Sequence, residues 1–182
     1  MPSDLLPCLL VHLEEKRKKS CVILSGGIGA GKTRTGERLT AALTARGFTV
    51  GGILSPRVVR CGKTIGYTVR DLASGVEQPF ASLNPPGVTV GKYFISEQGL
   101  AFARSAIARA SMTAQAVFVD EVGRLELSGR GYAPALRALL RSKALPILLI
   151  RSSFVDAVVK TFSITHHEIL PVEPDVSISH PG

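Results

Sequence analysis

One short segment near the start of the chain restricts its fold more than any other feature. Its residues match the pattern G-x-x-x-x-G-K-[ST] in full, and they are Gly26, Gly27, Ile28, Gly29, Ala30, Gly31, Lys32 and Thr33. Glycines in such a loop adopt positive φ angles and let several backbone N–H groups converge on a polyphosphate. The pattern predicts a phosphate-binding loop (Walker A), with Lys32 on the β- and γ-phosphates of a nucleotide and the Thr33 hydroxyl as a ligand of Mg²⁺.

The sequence on both sides of this loop agrees with that interpretation. Val22–Ser25 is an apolar run that predicts a buried strand, and a helix is expected from Lys32 to about Arg46, with Gly47 as its stop. The helix N-terminus adds partial positive charge where the phosphates would lie. A glycine-rich turn with an incidental lysine would not need this context, so we favour the phosphate-binding interpretation.

A second motif supplies the acidic residues that phosphate chemistry requires. Ala116–Val119 is an apolar run followed by Asp120 and Glu121, which is the Walker B form. Asp120 is expected to anchor Mg²⁺ at the carboxyl edge of the sheet, and Glu121 to activate the attacking water as a general base. The stretch up to Gly123 also spells the D-x-x-G pattern of GTPases, but no [NT]-K-x-D motif follows it. A broad NTPase is therefore favoured over a specific GTPase.

Phosphoryl transfer also needs a cation near the charge that develops on the γ-phosphate. Arg124 is the best candidate because it lies directly after the Walker B residues. The alternatives are three basic residues earlier in the chain, in the region of the predicted hairpin: Arg57, Arg60 and Lys63. Lys32, Glu121 and Arg124 are therefore the predicted catalytic residues.

The remaining pattern predicts a mainly parallel α/β sheet with an inserted antiparallel hairpin. Further strands are expected at Phe48–Leu54, Val88–Ile95, Leu145–Ile150 and Phe162–Thr165. Further helices are expected at Leu5–Leu13, Glu97–Met112, Tyr132–Lys143 and Phe154–Lys160. Alternation at Ile65–Val69, a turn at Ser74-Gly75 and the segment Val76–Phe80 that follows it, between the second and third helices, predict the hairpin.

Length and composition limit the organisation and the partners. The 182 residues, 45% of them hydrophobic, suit one globular domain, with residues 1–20 as an N-terminal extension and residues 172–182 as a loose tail. The net charge of +8 favours nucleoside triphosphates as partners; nucleic acid, suggested by the basic run Lys16–Lys19, is not favoured.

Cysteine usage and hydropathy bear on the compartment. Cys8, Cys21 and Cys61 are too few and too scattered for a disulfide framework or a CxxC zinc site. The N-terminus lacks signal-peptide features, and the longest apolar stretch, Ala144–Ile150, is too short to span a bilayer. We expect a cytoplasmic protein without a membrane partner, as a monomer or small homo-oligomer.

Several stretches resemble one family, the small P-loop nucleoside-triphosphatases that include the thermophile NTPases and the cancer-related nucleoside-triphosphatase. These stretches are Val50-Gly51-Gly52 through Ser55-Pro56, Gly62, Ile65-Gly66-Tyr67 to Asp71-Leu72, Ser74-Gly75, Val90-Gly91-Lys92-Tyr93 and, most specifically, Asp120-Glu121-Val122-Gly123-Arg124-Leu125-Glu126-Leu127-Ser128. The resemblance implies a P-loop NTPase three-layer sandwich of the additional-strand, catalytic-glutamate class. It also implies slow, Mg²⁺-dependent hydrolysis of several NTPs to NDP and phosphate. Phosphate binding would then fall to Gly26–Thr33, metal anchoring to Asp120 and water activation to Glu121, and Arg124 stands where the family usually has lysine.

Two stretches depart from the family pattern. Arg57-Val58-Val59 stands where the family typically has Glu-Val-Arg, and His166-His167 where it often has Asn-Arg. The two histidines lack a zinc-site spacing and are interpreted as surface or base-stacking residues. Tyr67 and Phe80 are further candidates for stacking on a base, with a core role as the alternative.

Two other functions use the same motifs. A P-loop kinase would transfer the γ-phosphate to a nucleotide or small-molecule acceptor instead of water, although Arg130, Arg137 and Arg141 lack the glycine hinges of a kinase lid. A nucleotide-regulated nucleic-acid-binding protein would explain the net charge, but the chain has no Trp and no recognised nucleic-acid module.

Overall fold

The fold is built from ten strands and six α-helices in the part of the chain that the computed structural model describes, residues 5–14 and 21–174. The basic run at 16–19 and the tail beyond residue 174 lie outside these residues. The helices are α1 (Leu5–Glu14), α2 (Lys32–Thr44), α3 (Glu97–Thr113), α4 (Arg124–Leu127), α5 (Ala133–Leu139) and α6 (Val155–Thr161). The strands are β1 (Cys21–Gly26), β2 (Val50–Leu54), β3 (Arg57–Arg60), β4 (Lys63–Asp71), β5 (Glu77–Ser82), β6 (Val88–Val90), β7 (Tyr93–Ile95), β8 (Ala116–Val122), β9 (Leu145–Arg151) and β10 (His167–Pro171).

All ten strands join one sheet, in the order β10-β1-β9-β8-β2-β4-β5-β7-β6, with β3 paired to β4. The strands from β10 to β2 are parallel, and β2 begins an antiparallel part by pairing with β4. One strand, β9, lies between β1, which leads into the phosphate-binding loop, and β8, which carries the Walker B residues. This intervening strand is the one that the additional-strand class requires, so the predicted sheet is confirmed.

Helices cover both faces of the parallel part, which gives three layers. Val22 and Leu24 of β1 are fully buried on one face, where Leu9 of α1 and Leu43 of α2 pack against them. Ile23 lies on the other face, in a larger cluster with residues of α3, α5 and α6. Strands buried on both faces read as continuous apolar runs, which is why the sequence pattern identified β1, β8 and β9. No helix of the described residues is both long and apolar enough to cross a membrane.

The insertion between α2 and α3 is larger than the predicted hairpin. The β4–β5 hairpin is confirmed, and β3 adds to its outer side by pairing with β4. The single strand predicted over Val88–Ile95 is wrong, because β6 and β7 are two short strands that turn back and pair with each other. The insertion is therefore a five-stranded antiparallel extension of the sheet.

The C-terminal part of the chain differs most from the sequence predictions. Phe162–Thr165 is not a strand: Phe162 and Ile164 are apolar because they pack into the core. The last strand is β10, which is parallel to β1. The predicted tail begins too early, since Val172 is buried and its N–H donates to the Ser25 carbonyl at 2.6 Å. The helix predicted over Tyr132–Lys143 is shorter and ends at Leu139.

Candidate active site

The phosphate-binding loop connects the end of β1 to the first residue of α2. Gly29 and Gly31 have φ angles of 82° and 88°, a left-handed conformation that other residues adopt only at a cost. Lys32 is buried and folds back over the loop, where its Nζ donates to the carbonyls of Gly26 at 2.8 Å and Gly27 at 3.0 Å. Burial lowers the pKa of Lys32, while the charges of Glu121 and Asp120 act in the opposite direction.

The predicted metal residues meet across the sheet. The Thr33 hydroxyl donates to Asp120 Oδ2 at 2.8 Å, although 87 residues separate them in sequence. The backbone N–H of Ser55 donates to the same oxygen at 3.0 Å, and the N–H of Glu121 donates to Oδ1 at 2.8 Å. Asp120 is 1% exposed, and this burial, together with the charge of Glu121, raises its pKa. A hydroxyl and a carboxylate side by side are oxygen donors of the kind that Mg²⁺ prefers, so the residues fit that ion.

Glu121 has a different environment from its neighbour Asp120. Its φ angle is 57°, which is uncommon for a residue with a side chain, and the pairing of β8 with β9 shifts register between Val119 and Val122. The Glu121 side chain is 33% exposed and borders a cavity, and its Oε2 lies 3.5 Å from Arg151 Nη2. Asp120 is therefore buried and accepts three hydrogen bonds, whereas Glu121 is accessible to water in the cavity.

Arg151 is a site residue that the sequence analysis missed. It is the last residue of β9, directly beside Gly26 of β1 in the parallel pairing. The signal was present, because Arg151 follows a buried apolar run just as Asp120 follows its own, and strand ends of a parallel sheet share one edge. Arg151 is therefore a second arginine candidate beside Arg124.

The cavity beyond Glu121 has a volume of about 790 Å³ and a mixed lining. Ile28 and Gly29 of the phosphate-binding loop form part of its wall. Its basic lining residues are Arg57, Lys63, Lys92, Arg124 and Arg151, whereas Arg60 is not among them. The Arg124 guanidinium carbon lies 6.0 Å from the centre of the Phe154 ring, at the outer limit of a cation–π contact.

Aromatic residues of the insertion form the opposite wall of this cavity. The rings of Tyr67 and Tyr93 meet edge to face, with centroids 5.4 Å apart. Phe80 also lines the cavity, but it is only 7% exposed and belongs to the core. Of the two stacking candidates from the sequence, Tyr67 is thus the more accessible.

Buried polar residues support the segment that follows β8. Glu126 is 2% exposed; its Oε2 accepts from the Gly123 N–H at 3.1 Å and its Oε1 from the Tyr132 N–H at 3.4 Å. The Tyr132 hydroxyl in turn donates to the Asp120 carbonyl. Burial raises the pKa of Glu126 to about 7. These bonds hold the backbone on both sides of Glu121, a role that the sequence analysis did not assign.

His166 and His167 do not belong to the site. His167 pairs with Cys21 at the amino end of β1, and the Cys21 N–H donates to the His166 carbonyl. The phosphate-binding loop follows Gly26, at the other end of the same strand. A base-stacking role for the two histidines at this site is therefore wrong; they are exposed surface residues.

Sequence comparison connects this geometry with known proteins. The family described as NTPase matches residues 21–175. The nucleoside-triphosphatase THEP1 of Thermococcus kodakarensis is 31% identical over 140 residues, covering 74% of this chain and 78% of the relative. THEP1 of Methanothermobacter thermautotrophicus is 30% identical over 155 residues, covering 85% of this chain and 87% of the relative.

Solved structures share the fold. The crystal structure of THEP1 from the hyperthermophile Aquifex aeolicus matches with a TM-score of 0.69 and 20% identity, over 87% of this chain and 92% of that one. The solution structure of a human cancer-related nucleoside triphosphatase matches with a TM-score of 0.67 and 22% identity, over 86% of this chain and 90% of that one. Both matches include the parallel sheet and its flanking helices.

Proposed function

We propose that this chain, which belongs to the NTPase family, hydrolyses nucleoside triphosphates to NDP and phosphate in a Mg²⁺-dependent reaction. Its relatives are named nucleoside-triphosphatases, and nothing in them supports the kinase alternative. They are named for nucleoside triphosphates as a class, which together with the missing guanine motif supports broad base specificity. The free thiols of Cys8, Cys21 and Cys61 support a reducing, cytoplasmic location.

The residues of the loop bind the substrate. The N–H groups of Gly29–Thr33 and the Lys32 ammonium hold the phosphates, which requires Lys32 to exchange carbonyl contacts for phosphate oxygens. When bound, Mg²⁺ neutralises charge on the β- and γ-phosphates, and Thr33 and Asp120 would hold it. Asp120 keeps the Thr33 hydroxyl oriented through their hydrogen bond.

Glu121 orients the attacking water and accepts its proton. The observation that carries this assignment is the contrast between the two carboxylates: Asp120 accepts three hydrogen bonds in a buried position, whereas Glu121 faces the cavity. Arg124 and Arg151 supply positive charge at the same cavity, where charge develops on the γ-phosphate.

Single-turnover hydrolysis of ATP, GTP, CTP and UTP tests the proposal. We expect Glu121→Gln to bind nucleotide like the wild type but to lose roughly 10²–10³-fold in turnover, because only water activation is removed. Lys32→Ala should weaken binding and turnover together. The matched control is Glu97→Gln, which changes an exposed glutamate at the start of α3. Turnover at the wild-type rate in Glu121→Gln would overturn the assignment.

A further inference from the structure

A cluster of metal-ligating side chains lies where α1 meets β10, away from the nucleotide site. It consists of Cys8 and His12 of α1 and Glu168 of β10, whose ligand atoms all lie within 4.8 Å of one another. His12 Nε2 lies 2.7 Å from Glu168 Oε2. We propose that Cys8, His12 and Glu168 form a binding site for a divalent transition-metal ion, with Zn²⁺ as the preferred occupant.

The fold places the three side chains together by regular geometry. Cys8 and His12 are four residues apart in a helix, so both project from one face. That helix is fixed by Leu5 and Leu9, which pack into the cluster shared with α2 and β1. Glu168 approaches from β10, the neighbour of β1. The site therefore depends on residues that are already held in place.

The separations between the three ligand atoms are close to those around a bound Zn²⁺ ion. Zn²⁺ binds sulfur at about 2.3 Å and nitrogen or oxygen at about 2.0–2.2 Å, which places tetrahedral ligand atoms roughly 3.3–3.8 Å apart. The 2.7 Å pair of His12 and Glu168 must open by less than about 1 Å. Cys8 Sγ lies within 4.8 Å of both other ligand atoms, so it must move inward by no more than about 1–1.5 Å. Side-chain rotation without backbone movement supplies such shifts.

The donor set selects the type of ion. A thiolate and an imidazole favour Zn²⁺ and related transition metals over Mg²⁺, which binds oxygen ligands. Three protein ligands leave the fourth tetrahedral position for water. The other ring nitrogen, His12 Nδ1, is buried and has no hydrogen-bond partner in the described residues, which is uncommon for a buried polar atom.

Cys8 would bind the ion as a thiolate. An arriving cation therefore displaces the thiol proton. Sequence spacing had suggested no zinc site for this cysteine, because its third ligand lies 156 residues beyond His12.

An occupied site would connect two parts of the chain. The match to the NTPase family begins at residue 21, so α1 lies outside it, whereas β10 lies inside. The ion would join α1 to the strand beside β1, and it would stabilise the folded chain by binding that state alone.

Titration of the full chain with Co²⁺ and then Zn²⁺, in excess Mg²⁺, tests the site. We expect one Co²⁺ per chain with a thiolate charge-transfer band and tetrahedral visible bands, both removed by one equivalent of Zn²⁺. Zn²⁺ should also raise the melting temperature of the wild type. Cys8→Ser should lose the charge-transfer band and at least about 100-fold in affinity, and Glu168→Gln at least about 10-fold.

Two matched variants control for other thiols and histidines. Cys61→Ser removes an exposed cysteine and His167→Gln an exposed histidine next to Glu168. Both should bind Co²⁺ like the wild type. Nucleotide hydrolysis by Cys8→Ser at the wild-type rate shows that this variant is folded. Absence of the charge-transfer band in the wild type, or its persistence in folded Cys8→Ser, would overturn the proposal.

Discussion

Asp120 and Glu121 show how two adjacent carboxylates acquire different chemistry. In a regular strand they would point to opposite faces of the sheet. Here the left-handed φ of Glu121 and the register shift of β8 turn its side chain toward the cavity, while Asp120 stays buried against Thr33. A backbone conformation that costs free energy at a functional position is consistent with a role in the reaction.

The two arginines of the cavity can be separated by mutation. Arg151→Ala should lower single-turnover hydrolysis by about 10–100-fold, because it removes the cation beside Glu121. Arg151→Lys should restore only part of the rate, since an ammonium lacks the planar guanidinium geometry. Arg141→Ala, at an exposed position after α5, is the control. A wild-type rate in Arg151→Ala, with a loss in Arg124→Ala, would assign the role to Arg124 instead.

Glu126 predicts a measurable dependence of stability on pH. Burial raises its pKa to about 7 from an ordinary value of 4.5. The native state therefore keeps this proton longer than the unfolded state does, and the stability so gained is fully present below pH 4.5 and lost as the pH rises through about 7. Over that range, wild type should lose on the order of 2–3 kcal/mol relative to Glu126→Gln, which does not titrate.

Urea denaturation of both proteins over a pH series measures this difference. Glutamine retains an oxygen that accepts from the Gly123 N–H, so the variant keeps the main contact. A free-energy difference that stays constant with pH would contradict the raised pKa.

The sequence indicated most of these residues but not their geometry. The phosphate-binding motif and Walker B pattern identified Lys32, Thr33, Asp120 and Glu121 because their chemistry depends on fixed local spacing. Arg151 was missed because its partners, Gly26 and Glu121, are distant in sequence and meet only through the order of the strands. The apolar run before Arg151 indicates the end of a strand, but only the order of the strands shows which residues lie beside it.

At the scale of elements, apolar runs in the sequence predicted the buried parallel strands, whereas the exposed strands have no such runs. All four residues of β3 are exposed, so no hydrophobic pattern indicates it and only its pairing with β4 makes it a strand. In β10 exposed and half-buried residues alternate, so its hydrophobic pattern is weak. The last strand was therefore predicted at the more apolar segment that begins at Phe162. Burial explains that apolar segment without a strand.

The pairing of β2 with β8 depends on a glycine. Gly52 lies opposite Phe118 with a φ of 94°, and a Cβ there would overlap the Phe118 carbonyl oxygen. Gly52→Ala should therefore lower the free energy of unfolding by about 2–5 kcal/mol, through backbone strain and overpacking. Chemical denaturation measures the change.

Gly47→Ala provides the comparison. Gly47 has a similar φ of 82°, but a Cβ there would meet nothing within 4 Å. Only the strain remains, so the loss should be about 1–2 kcal/mol. Equal losses of unfolding free energy in the two variants would show that the overlap of the new Cβ with Phe118 of β8 adds no destabilisation.

For the molecule as a whole, ligand binding should report on the intact site. A Mg²⁺-bound, non-hydrolysable NTP analogue at 100 times its Kd should stabilise the folded chain by about 2.7 kcal/mol, or roughly 5–10 °C in Tm. Chelation of Mg²⁺ with EDTA should remove most of the shift, since Thr33 and Asp120 act through the ion. Differential scanning calorimetry measures it. A full shift in Lys32→Ala would contradict the loop assignment.

The order of strands also has a consequence for biosynthesis. β1 is made early, but both of its neighbours, β9 and β10, come from residues 145–171. While the ribosome is still adding the middle of the chain, this apolar strand has neither partner, and its unpaired edges invite association with other chains. The nascent protein therefore depends on rapid completion, or on chaperone protection of its first strand, before it can acquire any affinity for nucleotide.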